Sequence, residues 1–149
     1  MVEKQKQDIA EKSGLIPPQN LEAEMSVLGS ILLDKDSITK VADILNPRDF
    51  YKEAHAIIYK AMFELYGKGD PIDLVTVSNK LEAEEMMEKI GGASYLASLA
   101  NSVPSAAHAA NYAKIVAEKA TLSKLIGAVG EPGLLTQARV GDTRSITQG

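Results

Sequence analysis

Apolar residues recur at intervals of three and four positions through most of this chain, and no other feature constrains its fold as strongly. Because an α-helix completes a turn in about 3.6 residues, each such run places one apolar stripe along a helix. The first three stripes consist of Leu21, Met25, Leu28 and Leu32; of Ile38, Val41, Ala42 and Leu45; and of Tyr51, His55, Ile58, Met62 and Leu65. The spacing predicts an all-α fold, a compact bundle of about six helices.

Capping residues indicate where two of these helices begin. Asn20 is a suitable N-cap for the first helix, and Glu22 and Glu24 fall in its first turn, where the helix dipole favours negative charge. The segment Ile72–Val77 is ambiguous, because its β-branched residues would also suit a strand. Asp73 as N-cap, followed by apolar residues at helical spacing, favours a helix, and no convincing partner strand exists elsewhere. We therefore expect a helix here.

Glycine and proline residues indicate where helices begin and end in the second half of the chain. Gly91-Gly92 closes an acidic stretch and precedes a short helix, and Ser105 is placed to cap a longer helix that reaches Ile126. The segment 127–133 then contains three glycines and a proline, which disfavour a continued helix. We expect residues 127–149 to form a divergent tail, disordered or foreign to the domain, and residues 1–16 to form a flexible arm.

Charge and composition exclude several classes of protein. Sixteen basic residues against 20 acidic residues give a net charge of −4, which disfavours a domain whose main task is to grip nucleic-acid phosphates. The absence of cysteine excludes disulfides and thiolate metal sites. The segment Met1–Lys12 lacks the apolar core of a signal peptide, and no apolar run is long enough to span a membrane. We expect a soluble, cytoplasmic protein.

Motifs for nucleotide binding and nucleophilic catalysis fail to match. A P-loop needs Gly-x-x-x-x-Gly-Lys-Ser/Thr, whose amides, lysine and hydroxyl hold phosphate and magnesium. Around Gly67-Lys68, Met62 stands at the position of the first glycine and Gly69 at the position of the hydroxyl. The segment Gly92–Leu96 begins like a nucleophile elbow but lacks the closing glycine. The sequence therefore predicts no catalytic residue, no cofactor site and no metal site in this chain.

Three other candidate features favour structural roles. His55 lies on an apolar stripe, far in sequence from His108, and we expect a buried imidazole bonded to a backbone carbonyl rather than a general base. Phe50 is expected to wedge the turn between the second and third helices rather than to stack on a base. An acidic stretch is expected to be a solvated face, and as a hypothesis a docking surface for a basic partner: Glu82, Glu84, Glu85 and Glu88.

Five short motifs follow one another in a fixed order. They are Pro17–Glu24; Asp49-Phe50-Tyr51 with His55; Pro71–Val77, which includes Asp73; Gly91-Gly92 with Tyr95 and Leu96; and Pro104–Ala107 leading into Tyr112–Val116. In this order they resemble the N-terminal domain of the DnaB-type bacterial replicative DNA helicase. No single motif is diagnostic, but the joint order is specific, and the resemblance covers Pro17–Ile126.

The resemblance implies a scaffold rather than a motor. It implies that residues 17–102 form the helical domain that contributes to a collar and receives the C-terminal domain of primase, and that a helicase loader acts through the same region. Residues 103–126 would form the first arm of a helical hairpin that pairs subunits, as a dimer or within a hexameric collar of the full-length protein. ATP and magnesium would be bound by the motor domain, which this chain lacks.

The hairpin arm provides the candidate oligomer seam. Ile115 and Leu122 are seven residues apart, a spacing suited to packing against another helix, and equally to a helix that faces its own core. The resemblance implies a seam that consists of Tyr112, Ile115, Val116, Lys119, Leu122 and Ile126.

The sequence differs from the family in two respects, and two alternative functions stay open. Met25 stands where the family more often has glutamine, and the resemblance ends after Ile126, so we expect a truncated or altered chain, or foreign sequence, from there on. A helical DNA-binding regulator is one alternative, which the acidic net charge disfavours. A small helical enzyme or ligand carrier, with a pocket lined by His55, is the other.

Overall fold

A computed structural model describes residues 19–130, with side chains described as far as residue 127. Every regular element in this part of the chain is helical, which confirms the predicted all-α fold with six α-helices. The helices are α1 (Leu21–Leu33), α2 (Ser37–Ala42), α3 (Glu53–Lys68), α4 (Leu74–Ala83), α5 (Gly92–Ala100) and α6 (Ala109–Gly130), with one 3-10 turn at Pro47–Asp49. The predicted arm at residues 1–16, and the tail beyond residue 130, lie outside the described residues.

Helix α1 begins where the capping pattern predicts and buries a broader face than expected. The Asn20 side chain accepts a hydrogen bond from the Ala23 amide at 3.0 Å, so it satisfies one of the free amides of the first turn. Of the predicted stripe, only Leu28 is fully buried. The core side of α1 is instead centred on Val27, Leu28 and Ile31, because neighbouring helices cover the face on which these three lie.

Aromatic contacts close the turn between α2 and α3. Phe50 is buried, and its ring centroid lies 5.0 Å from that of Tyr59 on α3. The Tyr59 hydroxyl donates to the Leu45 carbonyl at 3.0 Å, so the buried phenol is satisfied and the end of the α2 region is fixed to α3. These contacts confirm that Phe50 wedges this turn.

Helix α4 resolves the ambiguous segment in favour of a helix. The Asp73 carboxylate accepts from the Thr76 amide at 2.9 Å, while the Thr76 hydroxyl accepts from the Asp73 amide at 2.9 Å. This reciprocal capping box satisfies two amides at the helix start. Val77 and Leu81 are fully buried, so the apolar face has the period of a helix.

Helices α1 and α5 pack very closely at one point. A Cβ atom at Gly29 would lie 2.3 Å from the Leu99 carbonyl oxygen, so only glycine fits there. Leu96 and Leu99 on α5 are fully buried. The contact holds α5 against α1, and Tyr95 on α5 is half-buried.

Helix α6 differs from the prediction at both ends. It begins at Ala109 instead of Ser105, because the Ser105 hydroxyl accepts from the Ala107 amide in a local turn rather than capping a helix. It continues to Gly130 instead of stopping at Ile126. Two glycines, Gly127 and Gly130, cost roughly 2 kcal/mol relative to alanine, which weakens a helix without ending it. Pro132 lies outside the described residues.

Residues 19–120 form one compact unit, and the end of α6 from Thr121 onward lies outside it. Within that unit, α6 contributes the buried side chains of Ala113 and Val116 to the core. Among the described helices, none combines the length and the apolar character needed to cross a lipid bilayer.

Candidate functional site

A buried polar network joins three helices at the centre of the compact unit. Glu24 of α1 and His55 of α3 are 2% and 0% exposed, and their Oε1 and Nδ1 atoms lie 2.7 Å apart. The Nε2 atom of His55 lies 2.5 Å from the hydroxyl of Tyr95 on α5. We call Glu24, His55 and Tyr95 the buried triad. It connects segments that are 31 and 40 residues apart in sequence.

The carboxylate of the triad also holds the start of α3. Glu24 Oε2 accepts from the Tyr51 amide at 2.6 Å, and Oε1 accepts from the Lys52 amide at 3.3 Å. These two amides precede the first residue of α3, where free N–H groups and the helix dipole favour an anion. The negative charge is therefore compensated although the side chain is buried.

The hydrogen-bond roles in the triad follow from the acceptor character of the carboxylate. Because a carboxylate only accepts, Nδ1 of His55 donates to Glu24. In a neutral ring Nε2 then accepts from the Tyr95 hydroxyl. Both ring nitrogens are thus occupied within the protein, and the ring has no exposed surface. The triad therefore links α1, α3 and α5 through hydrogen bonds between their side chains.

The prediction for His55 was right about burial and wrong about its partners. A carboxylate and a phenol, rather than a backbone carbonyl, satisfy the ring, because Glu24 of α1 and Tyr95 of α5 each reach one of its two nitrogens. Sequence reasoning assigned Glu24 only to the helix dipole. Its position three and four residues before Val27 and Leu28 places it on the buried face, and that spacing was the available signal.

The motif residues around the triad have distinct positions. Tyr51 is 43% exposed, and the Lys52 ammonium lies 5.0 Å from the centroid of the Tyr95 ring, a cation–π contact. Gly91 and Gly92 adopt φ values of 109° and 86°, and a Cβ at Gly91 would lie 3.1 Å from Tyr95 Cβ. The glycine pair therefore allows the close turn that precedes Tyr95.

Two motif residues serve the fold at other places. The side chain of Asp49 accepts from the Asn46 amide at 2.9 Å and closes the 3-10 turn. Asp73 caps α4, as described above. The structure therefore brings Tyr51, His55, Gly91 and Tyr95 into one region, and gives Asp49 and Asp73 local capping roles.

Two shifted pKa values have structural causes. Burial, and secondarily the charge of Asp49, raises the pKa of the Tyr59 hydroxyl well above its ordinary value. Hydrogen bonds that the Lys80 ammonium donates to Glu84 and Glu64 raise the pKa of Lys80, and its Nζ atom lies 3.0 and 3.1 Å from their carboxylate oxygens. Neither group belongs to the buried triad, and both stabilise packed helices.

The predicted seam on α6 divides into a buried and an exposed part. Val116 is 2% exposed and lies in the core of the compact unit, with Tyr112, Ile115 and Lys119 half-buried. Leu122 and Ile126 are 41% and 57% exposed. Leu125, which the predicted seam did not include, is 58% exposed on the same stretch of helix. Contact of this surface with another subunit stays a prediction.

The remaining candidate residues lie on the surface. All four glutamates of the acidic stretch, residues 82, 84, 85 and 88, are exposed, and so is His108. Within residues 19–130, no three histidine or acidic side chains are grouped in a way that could hold a metal ion.

Comparison with known proteins identifies a family and solved relatives. The family described as DnaB-like helicase N terminal domain matches residues 16–118. The chain is 50% identical over 111 residues to the replicative DNA helicase DnaC of Bacillus subtilis, which covers 74% of this chain and 24% of that protein. It is also 50% identical over 119 residues to the replicative DNA helicase DnaB of Mycobacterium leprae, covering 80% of this chain and 20% of that protein. The chain thus spans about a quarter or less of these relatives.

Two solved structures share the fold. The crystal structure of the N-terminal domain of DnaB helicase from Mycobacterium tuberculosis has a TM-score of 0.77 at 47% identity, covering 85% of this chain and 86% of that one. A structure of a DnaB-like replicative helicase and its interactions with primase has a TM-score of 0.72 at 28% identity, covering 87% of this chain and 30% of that one.

Proposed function

This chain belongs to the family of DnaB-like helicase N-terminal domains, and from that membership we propose that it is a protein-docking and oligomerisation module of a replicative DNA helicase. The matched region is the N-terminal domain of such helicases, and the 149 residues contain no P-loop. By this proposal DNA unwinding belongs to a complete helicase, with ATP and magnesium bound in its motor domain. By the same proposal, the chain itself supplies surfaces to which partner proteins and other subunits bind.

The proposal depends on one observation: in a chain that matches a helicase N-terminal domain, the polar groups at the centre of the fold bond to one another. The ring of His55, fully buried, has both nitrogens bonded to protein groups, so the polar centre of the unit supports the fold rather than a reaction. The function must therefore be sought on the outside of the helices.

Primase is the partner that we propose first. Support comes from the structural relative that shows a DnaB-like replicative helicase and its interactions with primase. The proposed ligand is the C-terminal domain of primase, and a helicase loader is a further proposed partner on the basis of family resemblance. Duplex DNA is at most a weak partner, since the net charge of −4 repels phosphates.

Self-association is proposed through the exposed apolar residues of α6. Leu122, Leu125 and Ile126 expose between 41% and 58% of their surface on a single helix, and apolar groups on one helix favour pairing with another helix. Such a pair would form the dimer from which a hexameric collar could be built.

Binding of the primase C-terminal domain tests the docking role. The intact chain is titrated with fluorescently labelled primase domain up to tens of micromolar, and circular dichroism confirms that the chain is helical. Saturable binding is expected. Absence of binding by a folded chain would contradict the proposed docking role.

Sedimentation equilibrium tests the self-association. A mass above that of the 15.9 kDa monomer is expected, and Leu122→Asp should shift the equilibrium to the monomer. Thr121→Asp is the matched control, since it adds the same charge at an exposed polar neighbour. If both variants assemble like the parent chain, α6 is not the seam.

A further inference from the structure

Three N–H donors converge where α3 begins, and we call them the anion cradle. They are the backbone amides of Tyr51 and Lys52 and the Nδ1 atom of the His55 ring. The Glu24 carboxylate lies among them. Its Oε2 atom accepts from Tyr51 at 2.6 Å, and its Oε1 atom accepts from Lys52 at 3.3 Å and from His55 at 2.7 Å. The donors therefore meet both oxygens of one carboxylate, as the recognition of a planar anion requires.

The donors of the anion cradle belong to α3 and its approach, whereas the acceptor comes from a different helix. Glu24 lies on α1, between 27 and 31 residues away in sequence. The N-cap residue of α3, Lys52, makes no side-chain cap. The carboxylate of Glu53, in the first turn of α3, is 74% exposed and lies 3.8 Å from the Lys89 ammonium. Neither residue supplies an anion to the cradle, so Glu24 fills it from another helix, as a bound ligand would.

Burial and the dipole of α3 favour a negative charge in the anion cradle. The positive end of the dipole of this 16-residue helix lies at its first amides. Glu24 and His55 are both buried, so water does not weaken their attraction. A Tyr95 hydroxyl that donates to Nε2 of His55 leaves the ring proton on Nδ1, on the side of the cradle. The affinity for an anion is therefore a property of the donors and does not need the covalent link between the carboxylate and α1.

From this geometry we infer that the anion cradle is a binding site for small planar monocarboxylates, of which Glu24 is the built-in ligand. Glu24→Ala removes Cγ and the carboxylate, so it opens a space beside the donors that is suited to formate. Formate presents two oxygens on one carbon, as the Glu24 carboxylate does. Propionate is longer than the group removed, and chloride, a single sphere, does not place two acceptors among the donors. The inference does not rest on the proposed docking role.

Thermal unfolding of the intact Glu24→Ala chain in sodium formate tests the site. Formate replaces chloride at constant ionic strength and neutral pH over about 1–100 mM, because a ligand of three heavy atoms reaches a dissociation constant of roughly 1 mM at best. Formate at ten times its dissociation constant should raise the ratio of folded to unfolded chain about tenfold, and propionate should raise it less. If the variant is unfolded in chloride, formate should restore its helical circular dichroism, so the titration decides in either case.

Three chains serve as controls. The parent chain holds its own carboxylate in the anion cradle, and Glu24→Gln fills the same space with an amide. Glu22→Ala removes an exposed carboxylate from the same turn of α1 and leaves the cradle occupied. All three should respond to formate as they respond to chloride. The comparison separates binding in the cradle from the general effect of salts on stability.

Nuclear magnetic resonance of the ¹⁵N-labelled Glu24→Ala chain locates the ligand. Formate should shift the signals of the Tyr51 and Lys52 amides and of the His55 ring nitrogens, because these are the three donors of the anion cradle. The ring of His108, which is exposed and lies outside the cradle, should be unaffected.

A second substitution tests the part played by the imidazole. Adding Tyr95→Phe to Glu24→Ala removes the hydroxyl at Nε2 of His55 and lets the ring proton leave Nδ1. Formate should then bind roughly two- to tenfold more weakly, the effect of one hydrogen bond.

Four results would overturn the inference. These are equal stabilisation of Glu24→Ala by formate and chloride, an equal formate response in Glu22→Ala, shift changes confined to residues outside the anion cradle, and unchanged formate affinity after Tyr95→Phe. The docking role is tested separately by primase binding, and it stands whether or not formate binds.

Discussion

Replacing Glu24 by glutamine is the sharpest perturbation of the buried triad, because it changes charge and hydrogen-bond character without changing shape. The carboxylate accepts from His55 Nδ1 at 2.7 Å, from the Tyr51 amide at 2.6 Å and from the Lys52 amide at 3.3 Å. Glutamine offers one acceptor oxygen and one NH₂ group, which only donates. Whichever way the amide is turned, its NH₂ group faces at least one N–H donor.

The expected loss of stability of Glu24→Gln follows from the orientation of the new amide that breaks the fewest hydrogen bonds. The amide oxygen keeps the short bond to Tyr51, and the NH₂ group donates to His55 after the ring shifts its proton to Nε2. The Lys52 amide is then left without its acceptor, and the bonds that remain are no longer charge-assisted. Together these losses give about 2 kcal/mol of destabilisation, which lowers the Tm of a domain of this size by roughly 10 °C. Glu24→Ala, which leaves all three donors unpaired in the interior, should cost about 4 kcal/mol.

Urea unfolding followed by circular dichroism measures these differences at a fixed protein concentration. Glu22→Gln is the matched control, because Glu22 lies in the same first turn of α1 and is exposed. It should change the free energy of unfolding by less than about 1 kcal/mol. If Glu24→Gln and Glu22→Gln destabilise equally, the buried triad does not hold the helices together and the reasoning fails.

Three further changes test packing and ionisation. Gly29→Ala should destabilise the fold by about 1–3 kcal/mol in urea unfolding, since its Cβ would lie 2.3 Å from the Leu99 carbonyl oxygen; an unchanged midpoint would contradict the close approach. Ser30→Ala should be neutral or stabilise by up to about 1 kcal/mol in the same assay, because the Ser30 hydroxyl is buried without a hydrogen-bond partner within the described residues; a clear loss would reveal a missed partner. Tyr59→Phe should cost about 1 kcal/mol at pH 8 through loss of the bond to the Leu45 carbonyl. Because the folded pKa of Tyr59 is raised above the unfolded value of 10.0, its stabilisation is complete below pH 10 and falls as the pH rises further, at up to about 1.4 kcal/mol per unit. The difference in free energy of unfolding between the parent chain and Tyr59→Phe should therefore become smaller above pH 10. A difference that does not change with pH would refute the burial of the phenol.

Local patterns in the sequence were sufficient to predict features that depend only on residues a few positions apart, such as helix caps. Asn20 and Asp73 cap their helices as predicted, because a cap involves only the side chain and amides three residues away. Ser105 shows the limit of this reasoning, since its hydroxyl satisfies a nearer amide and the helix begins four residues later. Local propensity also misplaced the end of α6, where Gly127 is helical.

The buried triad could not be derived from local patterns. Glu24, His55 and Tyr95 meet only after three helices have packed, and nothing in the spacing of any one helix specifies which side chain will lie opposite. The burial of His55 was predictable from its apolar stripe, whereas its partners were not. Likewise an open groove lined by residues 33–40 and 105–110 combines segments about 70 residues apart, so its two walls are recognisable only in the folded unit.

Hydrogen exchange of the intact chain, with and without the primase C-terminal domain, tests the central claim most directly. Alone, the Tyr51 and Lys52 amides should exchange slowly, because the buried Glu24 carboxylate accepts from both. On addition of the primase domain these two amides should stay unchanged, while amides on exposed helix faces become protected. Rapid exchange at Tyr51 and Lys52, or no new protection anywhere in a folded chain, would contradict a rigid scaffold that works through its surface.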